Sequence, residues 1–268
     1  MCIPLFLDFQ IYKMQIVDTH VHLYSEEFDQ DRDQMMQRAI QSGISHFFVP
    51  AIDSNYTSRM YQLEKDYPEN VYLMMGLHPT YVKENYQEEL LHVQNQLKER
   101  KFYAIGEIGI DLYWDKTFLN QQKEVFRTQI RWAKEYDLPI VIHCREAFEE
   151  VFEVLVQENH PKLRGVFHCF TGTLEQALQA ISFNMKLGIG GVLTYKNGKI
   201  DQFLGGIPLV NIVLETDAPY LSPVPFRGKR NESFYLKYIV EKMSNIYGLN
   251  SSEIALRTTE NALQIFGI

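Results

Sequence analysis

Imidazole and carboxylate groups recur at the ends of apolar runs along this sequence. Six of them stand out by their positions: His20, His22, Glu107, His143, His168 and Asp217. Mixed imidazole and carboxylate ligands are typical of sites that bind divalent metal ions. Each residue alone could be a core histidine, an ion-pair partner or a turn residue. Together they would be costly to bury without partners, so the set predicts a metal site.

The spacing of these residues predicts which side chains share one face of a strand. Because side chains alternate between the two faces of a strand, His20 and His22 should point into the same site. Cys144 and Cys169 each follow a histidine directly, so they should point the other way, into the helix layer. We therefore interpret both cysteines as packing thiols and not as ligands.

The apolar runs that carry these residues alternate with helical patterns. The runs are QIVDTH, HFFVPA, VYLMMGLHP, FYAIGEIGI, PIVIHC, GVFHCF, MKLGIGGVL and NIVLETD, and SSEIALRTTENALQIFG predicts a terminal helix. Eight strand–helix units in about 250 residues match a (β/α)₈ TIM barrel, an α/β fold. We predict one such domain over residues 15–268, with the site at the C-terminal ends of the strands. The alternative, an open doubly wound sheet, lacks a glycine-rich dinucleotide fingerprint after the first run.

Residues 1–14 precede the first run and read MCIPLFLDFQIYKM. The segment is apolar but short, lacks a basic start and contains Asp8, so it is a poor signal peptide. We interpret it as an N-terminal extension or as a mis-called start, with translation beginning at Met14.

Composition limits the partners of this chain. Its 268 residues carry 26 Lys and Arg against 34 Asp and Glu, a net charge of −8, which disfavours general binding to duplex DNA or anionic membranes. Three cysteines argue against a disulfide framework and fit a reducing cytoplasm. No apolar run approaches the length of a membrane span. We expect a cytoplasmic, monomeric protein without a membrane partner, although the sequence does not determine the oligomeric state.

The motifs around the six residues resemble those of the TatD-type metal-dependent deoxyribonucleases, within the wider group of amidohydrolase-like barrels. The matching stretches are DTHVHL, GLHP, GEIGID, IHCR, FHCFTG, ETDAPYLSP, RGKRNE and NALQIF. They occur in order and cover the chain from Gln15 to Gly267. One departure is Ser233, which stands where the family usually has proline and is expected to loosen that loop.

The resemblance implies a role for each candidate ligand. His20 and His22 with Asp217 would hold one divalent ion, His143 and His168 would hold a second, and Glu107 would bridge the two. The ions would be Mg²⁺, Mn²⁺ or Zn²⁺, and two of them with two carboxylates leave a positive site that suits a phosphodiester. Asp217 would also be the general base for the attacking water, so Asp217 and Glu107 are the catalytic candidates.

The activity implied by the resemblance is that of a deoxyribonuclease, a 3′-to-5′ exonuclease on single-stranded or frayed DNA ends. A binuclear metal hydrolase of a small phosphoester, lactone or amide is the alternative, since similar ligands serve both chemistries. A metal-binding barrel without catalysis is the third reading, which the complete ligand set disfavours.

Residues beside the ligands are candidates for binding the substrate or orienting the ligands. Arg145, His78 and Arg227 could contact the nucleic-acid backbone, although an ion pair, a turn role and a solvated loop are their respective alternatives. Asp18 and Glu215 could orient ligand histidines. Further candidates are the basic residues Lys229 and Arg230 and the stacking aromatics Tyr113, Trp114, Phe170 and Tyr220.

Overall fold

The computed structural model describes residues 15–268, in which eight strands and eight α-helices form the framework. The strands are β1 (Ile16–Asp18), β2 (Ile44–Val49), β3 (Val71–Leu73), β4 (Ile105–Asp111), β5 (Ile140–Arg145), β6 (Gly165–Phe167), β7 (Met185–Ile189) and β8 (Ile212–Leu214). The helices are α1 (Arg32–Gln41), α2 (Thr57–Asp66), α3 (Tyr86–Glu99), α4 (Leu119–Tyr136), α5 (Phe148–Gln157), α6 (Leu174–Ser182), α7 (Leu236–Tyr247) and α8 (Ser251–Phe266). Residues 1–14, the predicted extension or mis-called start, lie outside the described residues.

The strands are parallel and follow one another in chain order. Hydrogen-bonded ladders join β1–β2–β3 and β4 through β8. Two seams remain, between β3 and β4 and between β8 and β1, and backbone hydrogen bonds bridge both. The Met75 N–H donates to the Ala104 carbonyl (3.1 Å) at the first seam, and the Thr19 N–H donates to the Leu214 carbonyl (3.0 Å) at the second. The predicted (β/α)₈ barrel is therefore confirmed.

The last part of the barrel departs from strict alternation. Within residues 15–268, short 3₁₀ turns rather than an α-helix connect β7 to β8, and both α7 and α8 follow β8. Residues 190–211 contain five glycines and one proline. Both residue types disfavour the interior of a helix, which accounts for the irregular connection. The predicted terminal helix corresponds to α8.

The barrel has a core on each side of its strands. Ile140 and Ile142 belong to the main core under the helices, whereas Val141 belongs to a second cluster on the opposite face of β5. The second cluster takes residues from most strands and ends on α8, where Phe266 stacks on Phe48 at 3.8 Å between ring centroids. This cluster fills the barrel interior, so polar groups can gather only at its open end.

Helix α4 fixes the strand ends that carry the site. Its buried face includes Gln122 and Gln129, seven residues apart and so on one side of the helix. The amide of Gln129 binds both backbone groups of Leu77 (2.7 and 3.2 Å), and that of Gln122 binds both backbone groups of Asp111 (2.9 and 3.2 Å).

Among residues 15–268, no helix is both long and apolar enough to cross a membrane.

Candidate metal centre

The structure brings all six candidate ligands together at the C-terminal end of the barrel. Glu107 and His143 lie within β4 and β5, whereas His20 and His22 follow β1, His168 follows β6 and Asp217 follows β8. His20 and His22 therefore lie beyond the regular strand, and alternation along a strand is not what aligns them. Their Nε2 atoms are nevertheless 3.3 Å apart, and both lie beside Oε2 of Glu107.

Glu107 stands at the middle of the group, and its two carboxylate oxygens face different histidines. Oε2 lies 3.0 Å from His20 Nε2 and 3.6 Å from His22 Nε2. Oε1 lies 2.8 Å from His143 Nδ1 and 3.4 Å from His168 Nε2. The carboxylate is thus placed as a bridge between two sets of imidazoles.

Asp217 completes the set on the side of Oε2. Its Oδ1 lies 3.4 Å from His22 Nε2 and 3.9 Å from His20 Nε2. The backbone of Asp217 is left-handed (φ 57°), and its N–H donates to the His20 carbonyl at 2.9 Å. The ligand atoms of His20, His22 and Asp217 all lie within 4.8 Å of one another, in the combination predicted for one ion.

The remaining ligand atoms form two further compact groups that overlap at Glu107. One joins Glu107 to His20 and His168, and the other joins it to His143 and His78, with ligand atoms within 4.8 Å in each. The predicted pair for the second ion, His143 and His168, thus shares Oε1 of Glu107 without forming a compact group of its own. Its role as a ligand pair stays a prediction.

Neighbouring acceptors determine which nitrogen of three histidines is free for a metal. The Tyr24 hydroxyl donates to the Pro50 carbonyl (2.9 Å), so at 2.9 Å from His22 Nδ1 it accepts the proton of that nitrogen. Glu215 Oε1 lies 3.1 Å from His168 Nδ1, and Asp111 Oδ2 lies 2.8 Å from His143 Nε2. In the neutral form of each ring, the other nitrogen faces Glu107 or Asp217 with its lone pair, as metal binding requires.

His78 has the opposite arrangement. The backbone N–H of Thr80 donates to His78 Nδ1 at 3.1 Å, so in the neutral ring the proton is on Nε2. That nitrogen lies 3.2 Å from Glu107 Oε1. His78 is therefore placed as a hydrogen-bond donor toward the centre and not as a metal ligand.

The charges of the group fit a bound cation. Burial would raise the pKa of Glu107, but the imidazoles of His78, His20 and His168 hold it well below its usual value. Burial disfavours charging His168, but Glu215 and Glu107 raise its pKa to about 10. Without a cation, protons on histidine compensate the carboxylates, and divalent ions would take the place of those protons. Two carboxylates with four imidazoles are a donor set that Zn²⁺ or Mn²⁺ accepts.

Glu215 binds the ring of His168, and Gly188 leaves room for the Glu215 carboxylate. Glu215 is fully buried, and its Oε1 also accepts the N–H of Cys169 at 2.5 Å. Its Oε2 has no hydrogen-bond partner among residues 15–268. A Cβ on Gly188 would lie 2.2 Å from that oxygen, so only glycine leaves room for the carboxylate. The predicted orienting role of Glu215 agrees with this geometry.

A cavity of about 600 Å³ opens above the centre. Arg145 lines it, and its guanidinium lies 3.6 Å above the ring of Tyr113. Arg227 instead lies over Tyr195 at 3.8 Å and is not part of the cavity lining. Arg230 lies 2.6 Å from Asp31, so this basic candidate is engaged in an ion pair.

Two further predictions about the surroundings need correction. Phe170 is buried in the main core and cannot stack on a ligand. Cys144 packs against that core, but both Cys144 and Cys169 are only partly buried and border the cavity, so neither lies wholly in the helix layer. Neither belongs to a compact group of ligand atoms within residues 15–268.

Asp111 and Tyr24 are site residues to which sequence analysis assigned no role. Tyr24 lies two residues beyond His22, and Asp111 ends the motif GEIGID. Their proximity in sequence to ligands was a signal, but their hydrogen bonds to the rings became visible only in the structure.

Comparisons with known proteins agree with these motifs. A sequence model of the family described as TatD related DNase matches residues 17–267. The chain is 39% identical to the uncharacterized metal-dependent hydrolase YabD of Bacillus subtilis, covering 94% of this chain and 99% of that protein. It is 32% identical to the 3′-5′ ssDNA/RNA exonuclease TatD of Pantoea ananatis, with coverages of 94% and 99%. The crystal structure of YJJV, a TatD homologue from Escherichia coli, superposes with a TM-score of 0.89 at 30% identity, covering 95% of this chain and 99% of that one.

Proposed function

The chain belongs to the TatD-related DNase family of metal-dependent hydrolases, and we propose that it is a 3′-to-5′ exonuclease that cleaves phosphodiester bonds at single-stranded or frayed DNA ends. Relatives named as single-strand exonucleases support the substrate class. We further propose that the reaction uses two divalent ions, with Mg²⁺, Mn²⁺ and Zn²⁺ as candidates.

The observation that carries the proposal is the position of Glu107. Its two oxygens face two different sets of histidines, at 3.0 Å on one side and 2.8 Å on the other. A carboxylate so placed would be a ligand shared by the two ions. His20, His22 and Asp217 would hold the first ion and His143 and His168 the second. When bound, the ions would polarise the phosphate and lower the pKa of a bound water.

Asp217 is the proposed general base. Burial would raise the pKa of Asp217, but the neighbouring imidazoles of His22 and His168 hold it below its usual value. Asp217 is therefore a charged carboxylate at the floor of the cavity, where it can accept the proton of the attacking water. The N–H of Asp217 is anchored to the His20 carbonyl, which keeps its carboxylate beside the two histidines.

Arg145 and His78 are the proposed contacts to the phosphate. The Arg145 guanidinium lies over the rings of Tyr113 and Trp114 and forms no ion pair among residues 15–268, which leaves its fork of N–H groups available for phosphate oxygens. His78 also lines the cavity, and its neutral ring has the proton on Nε2. Arg227 lies farther out, over Tyr195, so we assign it at most to a later nucleotide of the strand.

The size of the cavity supports a strand end as the substrate. About 600 Å³ falls within the range of pockets for small ligands, which suits a terminal nucleotide better than a duplex. The net charge of −8 also disfavours broad contact with duplex phosphates, because affinity for duplex DNA depends on many cationic contacts.

The test is hydrolysis of a 5′-labelled single-stranded oligonucleotide with Mn²⁺ or Mg²⁺, and with EDTA. We expect a ladder of shortened 5′-labelled products from the wild type, lost with EDTA and in Glu107→Ala and Asp217→Ala. Glu99→Ala, which removes an exposed carboxylate at the end of α3, is the matched control.

Two results would contradict the proposal. Full activity of both ligand variants would exclude the assigned centre. Intact oligonucleotide from protein that binds two ions would exclude the nuclease, and p-nitrophenyl phosphodiesters, lactones and N-acyl amides would then identify the alternative small-molecule hydrolase.

A further inference from the structure

Two exposed aromatic residues and an arginine form a shelf at one rim of the cavity. Trp114 is 69% exposed and Tyr113 is 49% exposed, and their rings meet edge to face with centroids 4.9 Å apart. The Arg145 guanidinium lies 3.6 Å from the Tyr113 ring centroid and 5.4 Å from that of Trp114. We call Tyr113, Trp114 and Arg145 the aromatic shelf. Two adjacent exposed rings with a charged group beside them form an apolar patch of the kind that marks a ligand-binding site.

Asp111 fixes the shelf relative to the metal centre. Its Oδ1 accepts the backbone N–H groups of Tyr113 (3.0 Å) and Trp114 (3.1 Å). Its Oδ2 lies 2.8 Å from Nε2 of the candidate ligand His143. One carboxylate thus holds both the loop that carries the rings and the imidazole that faces Glu107. Gln122 in turn binds both backbone groups of Asp111, so the loop cannot shift without disturbing α4.

The chemistry of the shelf suits a nucleobase joined to a phosphate. The indole face can stack on any base, because every base has a π-face. The guanidinium beside it can fork onto a phosphate while it remains stacked on Tyr113. Trp114, Arg145 and His143 all line the same cavity, so a base on the indole would place its own phosphate close to the centre. A lactone or a simple amide has neither an aromatic base for the indole nor a negative charge for the guanidinium.

We propose that the aromatic shelf is a base-stacking subsite, in which Trp114 stacks on the nucleobase next to the scissile phosphate while Arg145 binds the phosphate. The inference rests on the proposed nuclease function. A base that is paired in a duplex cannot lie on the indole, so the subsite selects unpaired ends. The centre supplies cleavage, and the shelf supplies the preference for single strands.

The test is a cycle that removes the ring and the base separately and together. The enzymes are the wild type and the variants Trp114→Ala, Trp114→Phe and Trp114→Leu. The control for loss of a surface apolar side chain is Leu91→Ala, because Leu91 is exposed on α3. The substrates are a single-stranded oligonucleotide and versions with one abasic tetrahydrofuran residue at the 3′ end or at the next position. The metal content of each protein is measured alongside kcat and KM.

We expect Trp114→Ala and Trp114→Leu to lower kcat/KM on the intact oligonucleotide about 5- to 150-fold, the range for stacking of one base, mainly through KM. Trp114→Phe should recover most of this loss because it restores a ring. One abasic position should cost the wild type a similar factor, and removing ring and base together should cost no more than removing either.

Other outcomes separate the two proposals. Equal losses for Trp114→Ala on intact and abasic substrates, or full activity of Trp114→Leu, would overturn the subsite while the nuclease stands. A wild type that binds metal but cleaves none of the oligonucleotides would overturn the nuclease itself.

Discussion

At the scale of single residues, the immediate partner of each imidazole decides what that ring can do. His22 and His78 have the same side chain and both face Glu107. The ring of His22 has its Nδ1 proton directed at Tyr24, whereas the ring of His78 accepts a backbone N–H at Nδ1. The first arrangement leaves a lone pair for a metal, and the second leaves a proton for a substrate.

The Tyr24 hydroxyl is therefore expected to tune the first metal position. Tyr24→Phe removes the acceptor for the His22 Nδ1 proton, and loss of such a partner typically weakens metal affinity about 10- to 100-fold. Titration with Mn²⁺ or Zn²⁺ measures the effect. Tyr67→Phe, which removes a hydroxyl bound to Asp33 at the surface, is the matched control and should bind metal like the wild type. Equal affinities of the two variants would contradict the assignment.

His78 should affect the rate and not the metal content. His78→Ala is expected to lower kcat on the oligonucleotide about 10- to 100-fold, since a hydrogen bond to a charged group contributes about 1.5–3 kcal/mol. His78→Gln keeps an N–H donor at a similar reach and should recover part of the rate. Loss of a bound ion in His78→Ala, measured by elemental analysis, would show instead that His78 is a ligand.

At the scale of elements, the buried carboxyl of Asp18 links the segments after β1 and β8, which carry candidate ligands on either side of the β1–β8 seam. Asp18 accepts the Thr216 N–H (3.0 Å), the Thr216 hydroxyl (2.6 Å) and the Ser233 hydroxyl (2.6 Å). Burial raises the pKa of Asp18 to about 7, although the hydrogen bonds from Ser233 and Thr216 oppose that rise. Thr216 directly precedes Asp217, so the network holds the strand end that presents this ligand.

Ser233 contributes to this network, and the expectation that it loosens its loop is wrong. The side chain is fully buried, and its hydroxyl ties the loop to Asp18, a contact that a proline could not make. Ser233→Ala should lower stability by about 1–3 kcal/mol, because it removes one of the two hydroxyl donors to the buried Oδ2 of Asp18. Thermal unfolding should show a fall in Tm of about 2 to 4 °C per kcal/mol. Ser182→Ala, an exposed serine at the end of α6, is the control; equal Tm values for the two variants would contradict the role.

At the scale of the whole molecule, the candidate centre links strands from both hydrogen-bonded ladders. Its ligands come from β4 and β5 and from the segments after β1, β6 and β8. Ions held there would connect parts of the barrel that otherwise meet only through the strand ladders and the two seams. Metal binding should therefore stabilise the fold as a whole and not one loop.

Removal of metal should lower the thermal stability of the wild type. An ion at about 100 times its Kd adds about 2.7 kcal/mol to a fold that binds it. For a chain of this size, the Tm with Mn²⁺ should thus exceed the Tm with EDTA by about 5 to 10 °C. Glu107→Gln should lose most of this difference and Glu99→Gln should keep it. An equal response in the two variants would contradict a metal centre at Glu107.

The sequence by itself determined the fold class, and it singled out the six residues that the structure brings together as the candidate centre. Apolar runs with helical patterns between them predicted the strands, because burial on both faces of a parallel sheet leaves a local signal. Polar candidate ligands inside those runs, such as Glu107 and His143, stood out because buried charge is rare. The sequence did not predict α7 or the irregular connection after β7.

Only the tertiary structure decided how the centre is organised. The contacts of Asp18 with Thr216 and Ser233 span 198 and 215 residues, and no local pattern encodes such pairs. The proton positions on His22 and His78 depend on Tyr24 and on the Thr80 backbone, whose orientations are set by folding. Residue type and spacing act locally and could be read along the chain. The direction of each donor depends on which distant strand ends the barrel brings together.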